Sequence, residues 1–140
     1  MSAFSGKQAR ELTEVTEEEF KHWRKVLSGV PALVGKRPKL RYSHLILLSV
    51  VKELTQLGLS ISPIRSQIER IALEMETKPP ADLKSQVLVL SGAGAALKTA
   101  SSGRVQFAVD DPATVFLAMG PIIARLDGRI QGGSEPMLPF

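Results

Sequence analysis

The sequence predicts an α+β fold, a helical first half followed by a small β-hairpin/α element, on three observations. Arg41 to Gly58, read RYSHLILLSVVKELTQLG, is apolar around most of its circumference, so it needs partners on several sides and belongs at the centre of a small domain. Short stretches with helical spacing and clear caps flank it. From Asp82 the texture changes to short apolar runs separated by Gly- and Ser-containing turns, the pattern of strands. The expected units are residues 1–78, four helices with a basic two-stranded turn; residues 79–131, a small α/β element; and residues 132–140, a flexible tail.

Ser5-Gly6-Lys7-Gln8 places a hydroxyl three residues before a Gln. That capping box opens a short helix to about Leu12, with Ala9 and Leu12 inward. After a break at Thr13-Glu14-Val15, Thr16-Glu17-Glu18-Glu19 is a second capping box. Its carboxylates lie where a helix dipole favours negative charge. This second helix is expected to about Leu27, with Phe20, Trp23 and Leu27 toward the core and Lys21, Arg24 and Lys25 on the other side. Two short helices so joined have helix-turn-helix spacing. Gly29 and Pro31 stop the second one, and Val30 to Val34 is an apolar connector.

Gly35 to Tyr42 (GKRPKLRY) sets four basic residues, Lys36, Arg37, Lys39 and Arg41, beside a Gly and a Pro, the composition of a tight turn with its cations in solvent. In the central helix Ser43 is the expected cap, His44 an exposed first-turn residue, and Gly58 the left-handed stop. Ser62 as cap and Pro63 at the first helical position predict a fourth helix. Ile64, Ile68, Ile71, Ala72 and Met75 form its apolar stripe, and Lys78-Pro79-Pro80 ends it.

Gln86 to Leu90 reads as a strand, Ser91-Gly92-Ala93-Gly94 as a hairpin turn and Ala95 to Ala100 as the returning partner. Arg104 to Val109 alternates like a half-buried strand. Thr114 to Ala118 is a further strand, with a helix opening at Asp111-Pro112 as the competing reading. Over Pro121 to Leu126 a short helix, or the end of one begun earlier, is expected, then a frayed tail from Gly132.

A chain of 140 residues with 44% hydrophobic and 23% charged residues has the make-up of a soluble globular protein. The absence of cysteine excludes disulfides, thiolate catalysis and thiolate metal ligands. No apolar signal core opens the chain, so no export and a cytoplasmic location are expected. The net charge of +4 is unevenly spread: residues 1–75 hold 12 Lys/Arg against 8 Asp/Glu, and residues 76–140 hold 6 of each. The excess therefore sits around the central helix, as a nucleic-acid contact or a solvated basic face would have it. His22, expected as a partly buried aromatic stand-in, and His44 are too isolated for a zinc site. Asp110-Asp111-Pro112 reads as a turn. No nucleophile, base and orienting group come together in the sequence, and neither an enzyme nor a cofactor or metal is expected.

Phe4 to Leu12 (FSGKQAREL), Val15-Thr16, Phe20-Lys21-His22-Trp23-Arg24, Arg41-Tyr42-Ser43 with the central helix, and Leu57-Gly58-Leu59-Ser60 with Ile64-Arg65 follow one another in this order. Together they resemble the winged helix-turn-helix DNA-binding domain of the mercury-resistance-regulator (MerR) family, over residues 4–76. The resemblance implies a four-helix domain with a two-stranded wing, whose second helix enters the major groove. Thr16, Lys21, His22 and Arg24 fall where the family contacts DNA, Trp23 at a structural aromatic, and Arg41 and Tyr42 at the wing-end pair that holds phosphates. Three departures stand out. Glu17, Glu18 and Glu19 open the recognition helix, where phosphates disfavour carboxylates, although a carboxylate accepts from cytosine. Pro79-Pro80 shorten the segment that usually becomes a dimerising coiled coil. The metal- and drug-sensing residues of better-known members have no counterpart.

The expected function is sequence-specific binding of double-stranded DNA as a bacterial or phage transcriptional regulator. Lys36, Arg37, Lys39, Arg41 and Tyr42 anchor phosphates, and Thr16, Lys21, His22, Arg24 and Lys25 supply the groove contact. A homodimer joined through the apolar C-terminal strands is expected, with RNA polymerase a candidate further partner and no membrane association. The alternatives are a protein-interaction adaptor whose acidic second helix meets a basic partner, and a phage architectural or packaging factor.

Overall fold

The computed structural model describes residues 3–35, 39–91, 94–99 and 114–134. Its first two helices begin where their capping residues dictate. α1 (Gly6–Thr13) is closed by a reciprocal pair: the Gln8 amide donates to Ser5 Oγ at 3.1 Å and the Ser5 amide to Gln8 Oε1 at 2.9 Å. α2 (Glu17–Val26) repeats the device with Thr16 and Glu19, at 3.1 and 3.0 Å. Each box satisfies two amides that the first helical turn leaves without partners. Ala9, Phe20, Trp23 and Leu27 are buried as their spacing predicts, and Leu12 is half-buried against the core. Pro31–Leu33 is a short 3-10 turn that buries Leu33.

α3 (Tyr42–Gln56) is the central helix, and it buries residues on every side, from His44 through Val51 and again at Leu54. Its cap differs from expectation. Ser43 lies inside the helix, and the residue at the cap is Arg41, whose amide donates to His44 Nδ1 at 2.9 Å. His44 is therefore not exposed but 3% accessible. Its other ring nitrogen meets Glu76 Oε1 at 2.9 Å, so both ring positions have partners, as a buried imidazole requires. At the far end Gly58 takes φ +92°, a left-handed geometry that suits glycine.

Ser62 does not cap the next helix either. Ser62–Ile64 form a 3-10 turn without a side-chain cap, and α4 (Arg65–Thr77) follows directly. Ile68, Ile71, Ala72 and Met75 are its buried stripe. Pro79 ends it, and Pro80–Leu83 make a short helix, α5, that the sequence reading missed. Pro80 suits the first position of such a turn.

β1 (Gln86–Ser91), β2 (Gly94–Thr99) and β3 (Thr114–Ala118) form an antiparallel sheet in the order β2-β1-β3. Ser91 pairs with Gly94, so the hairpin connection is two residues long, and Leu90 faces Ala95 and Val115 across the ladder. Leu88, Leu90, Ala95, Leu97 and Leu117 are buried on one sheet face, and α4 packs against β2. The expected strand Arg104 to Val109 and the Asp110-Asp111-Pro112 turn lie outside the described residues. α6 (Met119–Ser134) runs well past the expected Leu126, so Gly132 continues a helix and is not part of a frayed tail. Met119, Ile122, Ile123 and Leu126 are buried, and α6 packs on α3 and α1. That packing explains the extra length, since helix is held by burial of an apolar face more than by propensity. One buried cluster holds Trp23, Leu48, Met75, Leu88 and Leu126 together.

Two leucines separate core from surface. Leu48 is fully buried and Leu73 is 64% exposed. Leu48→Ala is expected to cost about 2–5 kcal/mol, and Leu73→Ala to stay within about 0.5 kcal/mol of the parent. Urea unfolding followed by the fluorescence of Trp23, the single tryptophan, reads both; equal midpoints for the two variants contradict the assignment of α3 as the core helix.

Candidate functional site

The exposed face of α2 carries Lys21, His22 and Lys25, all solvent-accessible. His22 is therefore not the partly buried stand-in expected of it. Trp23, its neighbour, occupies the core position at 2% exposure. Helical geometry gives the reason: Phe20, Trp23 and Leu27 share the inward face, and residues 21, 22 and 25 project from the other side. Thr16 is exposed, but its hydroxyl oxygen already accepts the Glu19 amide.

Arg24 does something different. Its Nε donates to the Leu33 carbonyl at 2.7 Å, its Nη2 donates to the Gly35 carbonyl, and the guanidinium lies 5.7 Å from the centroid of the Phe20 ring. The planar fork of an arginine suits two carbonyls at once. Arg24 thus straps the start of the basic turn to α2. On the far side of the turn, Leu40 and Phe4 exchange two backbone hydrogen bonds, at 2.7 and 2.9 Å. The bridge partner of Leu40 is accordingly the N-terminal Phe4. Lys36 and Arg37 lie outside the described residues, and Lys39 is exposed.

Arg41 and Tyr42 follow the turn. The Arg41 side chain is 57% exposed and stands 3.8 Å from Glu76, a separation worth little in solvent. Tyr42 is half-buried and its hydroxyl donates to Asp127 on α6. Burial, and then the hydrogen bond and charge of Asp127, push the Tyr42 phenol well above its ordinary value. Lys84 stands 3.4 Å from the other carboxylate oxygen.

The three carboxylates that open α2 are not equivalent. Glu17 and Glu18 are exposed. Glu19 caps the helix and also accepts from Lys52 Nζ at 2.8 Å. Burial pushes its pKa up, but the hydrogen bonds from Lys52 and the Thr16 amide outweigh it, and the net shift is downward. The acidic start of the helix therefore leaves Glu17 and Glu18 exposed, and Glu18 lines a groove with Thr55 of α3 and with Leu59 and Ser60 of the α3–α4 connection.

The chain matches no family model and no curated protein. Among the described residues no group of three or more His, Cys, Asp or Glu is placed to hold a metal ion, and no helix is long and apolar enough to cross a membrane.

The strap and the Asp127 contact escaped the sequence reading because both depend on partners distant in the chain. Nothing near Arg24 marks Leu33 and Gly35 as its acceptors, and Tyr42 and Asp127 are 85 residues apart. A signal did exist for Glu19, in the Thr-x-x-Glu spacing.

Two outcomes follow from this geometry. Arg24→Gln removes the fork, and amide exchange at Val34, which donates to the Pro31 carbonyl, is expected to speed up about tenfold or more, as when a local contact opens. Unchanged exchange there means the strap holds nothing. Glu19, with a folded pKa below its ordinary value of 4.5, contributes stability that is complete above that pH and drains away as pH falls through the folded value. Glu19→Gln should therefore be less stable than the parent at neutral pH and show a shallower acid limb in a melting-temperature profile; parallel limbs would remove Glu19 from that role.

Proposed function

We propose that the chain binds double-stranded DNA as a transcriptional regulator, with the basic turn as the phosphate-anchoring wing of a winged helix-turn-helix and α2 as the groove-reading helix. One observation supports the reading: Arg24 on α2, the helix that exposes Lys21 and Lys25, holds the Leu33 and Gly35 carbonyls at the start of the basic segment. Lys21, Lys25, Lys39 and Arg41 are exposed, and Lys36 and Arg37 belong to the same basic segment as Lys39 and Arg41 by sequence. Nucleic-acid backbone is the partner whose charge this arrangement matches. His22 and Thr16 complete the set on α2, and Glu17 and Glu18 are suited to accept from cytosine in the major groove. The order of sequence pieces that resembles the MerR family adds to this reading. In it Arg24 positions the turn and the remaining cations meet phosphate.

A dimer fits the proposal, because two copies set two such faces on successive turns of duplex. The adaptor alternative rests on Glu17, Glu18 and the groove beside them, and an architectural role shares the DNA-binding surface without base selection.

A salt titration separates these readings. Duplex affinity should fall with a log–log slope of about −0.9 per phosphate contacted, and Arg37→Ala with Arg41→Ala should bring the slope about two contacts nearer zero. Weak binding that ignores both changes favours the adaptor. Sedimentation of the whole chain with and without an operator-length duplex reads the stoichiometry; a single copy bound at saturation excludes the dimer.

A further inference from the structure

Tyr42 carries one hydroxyl proton, and a phenol with one proton donates one hydrogen bond at a time. That bond goes to Asp127 on α6. Arg41 beside it is not limited in this way, because a guanidinium has five N–H groups and can serve Glu76 and a phosphate together. Asp127 also brings a negative charge to the spot where a phosphate accepting from Tyr42 would have to sit, and like charges that close repel.

We infer that Asp127 competes with nucleic-acid phosphate for the Tyr42 hydroxyl, so that the C-terminal helix sets how tightly the basic face holds duplex DNA. The inference rests on the DNA reading above and concerns regulation of that same surface. α6 is pinned on both sides of Asp127. Arg125 pairs with Glu53 on α3, and Arg129 pairs with Glu14 and donates to the Leu12 carbonyl at 3.2 Å. The helix therefore presents its carboxylate to Tyr42 without having to be ordered by DNA, and exchange takes place at the side chains. Lys84 gives the displaced carboxylate somewhere to go, being already 3.4 Å from its second oxygen. The ends of the exchange are balanced: Tyr42 passes from one anionic acceptor to another, and Asp127 keeps a cationic neighbour.

The arrangement has a signature that mere support of the fold lacks. Asp127→Ala should bind duplex DNA roughly three- to tenfold more tightly than the parent, about the net worth of one ordinary hydrogen bond. Asp127→Asn, which keeps the shape and an acceptor oxygen, should gain less. Tyr42→Phe alone should leave affinity within about twofold, whereas Tyr42→Phe in the Asp127→Ala background should abolish the gain. Fluorescence anisotropy on one labelled duplex at fixed salt measures all five proteins, with circular dichroism melts to check that each is folded. If Asp127→Ala unfolds, Asp127→Asn with and without Tyr42→Phe carries the comparison, the double variant being a sixth protein. Equal affinities for the parent and the Asp127 variants, or a Tyr42→Phe loss as large in the parent as in the variants, overturns the competition and leaves the DNA reading standing. Absence of salt-dependent binding by every protein removes the DNA reading, and the competition with it.

Discussion

A helix with apolar side chains around its whole circumference leaves no side free for water, and α3 imposes that condition on everything else in the chain. Leu45, Ile46, Leu47 and Leu48 are consecutive and all buried, which no helix on a surface can manage. Cover has to come from several directions, and α1, α4 and α6 provide it. The sheet then packs on α4, and the short helices and 3-10 turns are the connections that this crowding permits. Even the polar residues on α3 obey it. Ser49 donates to the Leu45 carbonyl at 2.9 Å, and His44 finds a partner for each nitrogen. Burying either group unpaired would cost on the order of 1–3 kcal/mol.

The second theme is how the described residues on either side of the basic segment are held. Arg24 takes the carbonyls on one side, and Phe4 pairs with Leu40 on the other. Glu69 extends the same fastening, accepting the Gly29 amide at 2.6 Å where a side chain in place of the glycine would overlap the carboxylate. A charged side chain that reaches a backbone amide or carbonyl this way stabilises the connection between helices, because the backbone group would otherwise lack a partner. Glu76 on α4 and Asp127 on α6 then meet Arg41 and Tyr42 at the end of the segment.

The C-terminal segment changes character between sequence and structure. Its last stretch was expected as a short helix and a tail, and it forms one helix to Ser134 whose Met119, Ile122, Ile123 and Leu126 are buried inside the chain. A run of four to six apolar residues does not announce its partner. Period and capping identify an element, but contacts between segments 80 or more residues apart leave no local trace.

Local chemistry made the start of α1, the start of α2, the core stripes of Phe20, Trp23 and Leu27, the left-handed Gly58 and the β1–β2 hairpin readable from the residues alone, because caps, helical spacing and turns act over a few positions. Assembly decided the rest. Ser43 and Ser62 carried the right chemistry for caps and were passed over. The imidazole of His44 accepts the Arg41 amide and is buried with Glu76, from α4, as the partner of its other nitrogen, and the start of α4 was set by a 3-10 turn. Whether a basic residue is displayed or tied down, as Lys25 and Arg24 are, depends on which carbonyls the fold brings near, and that is a property of the packed chain.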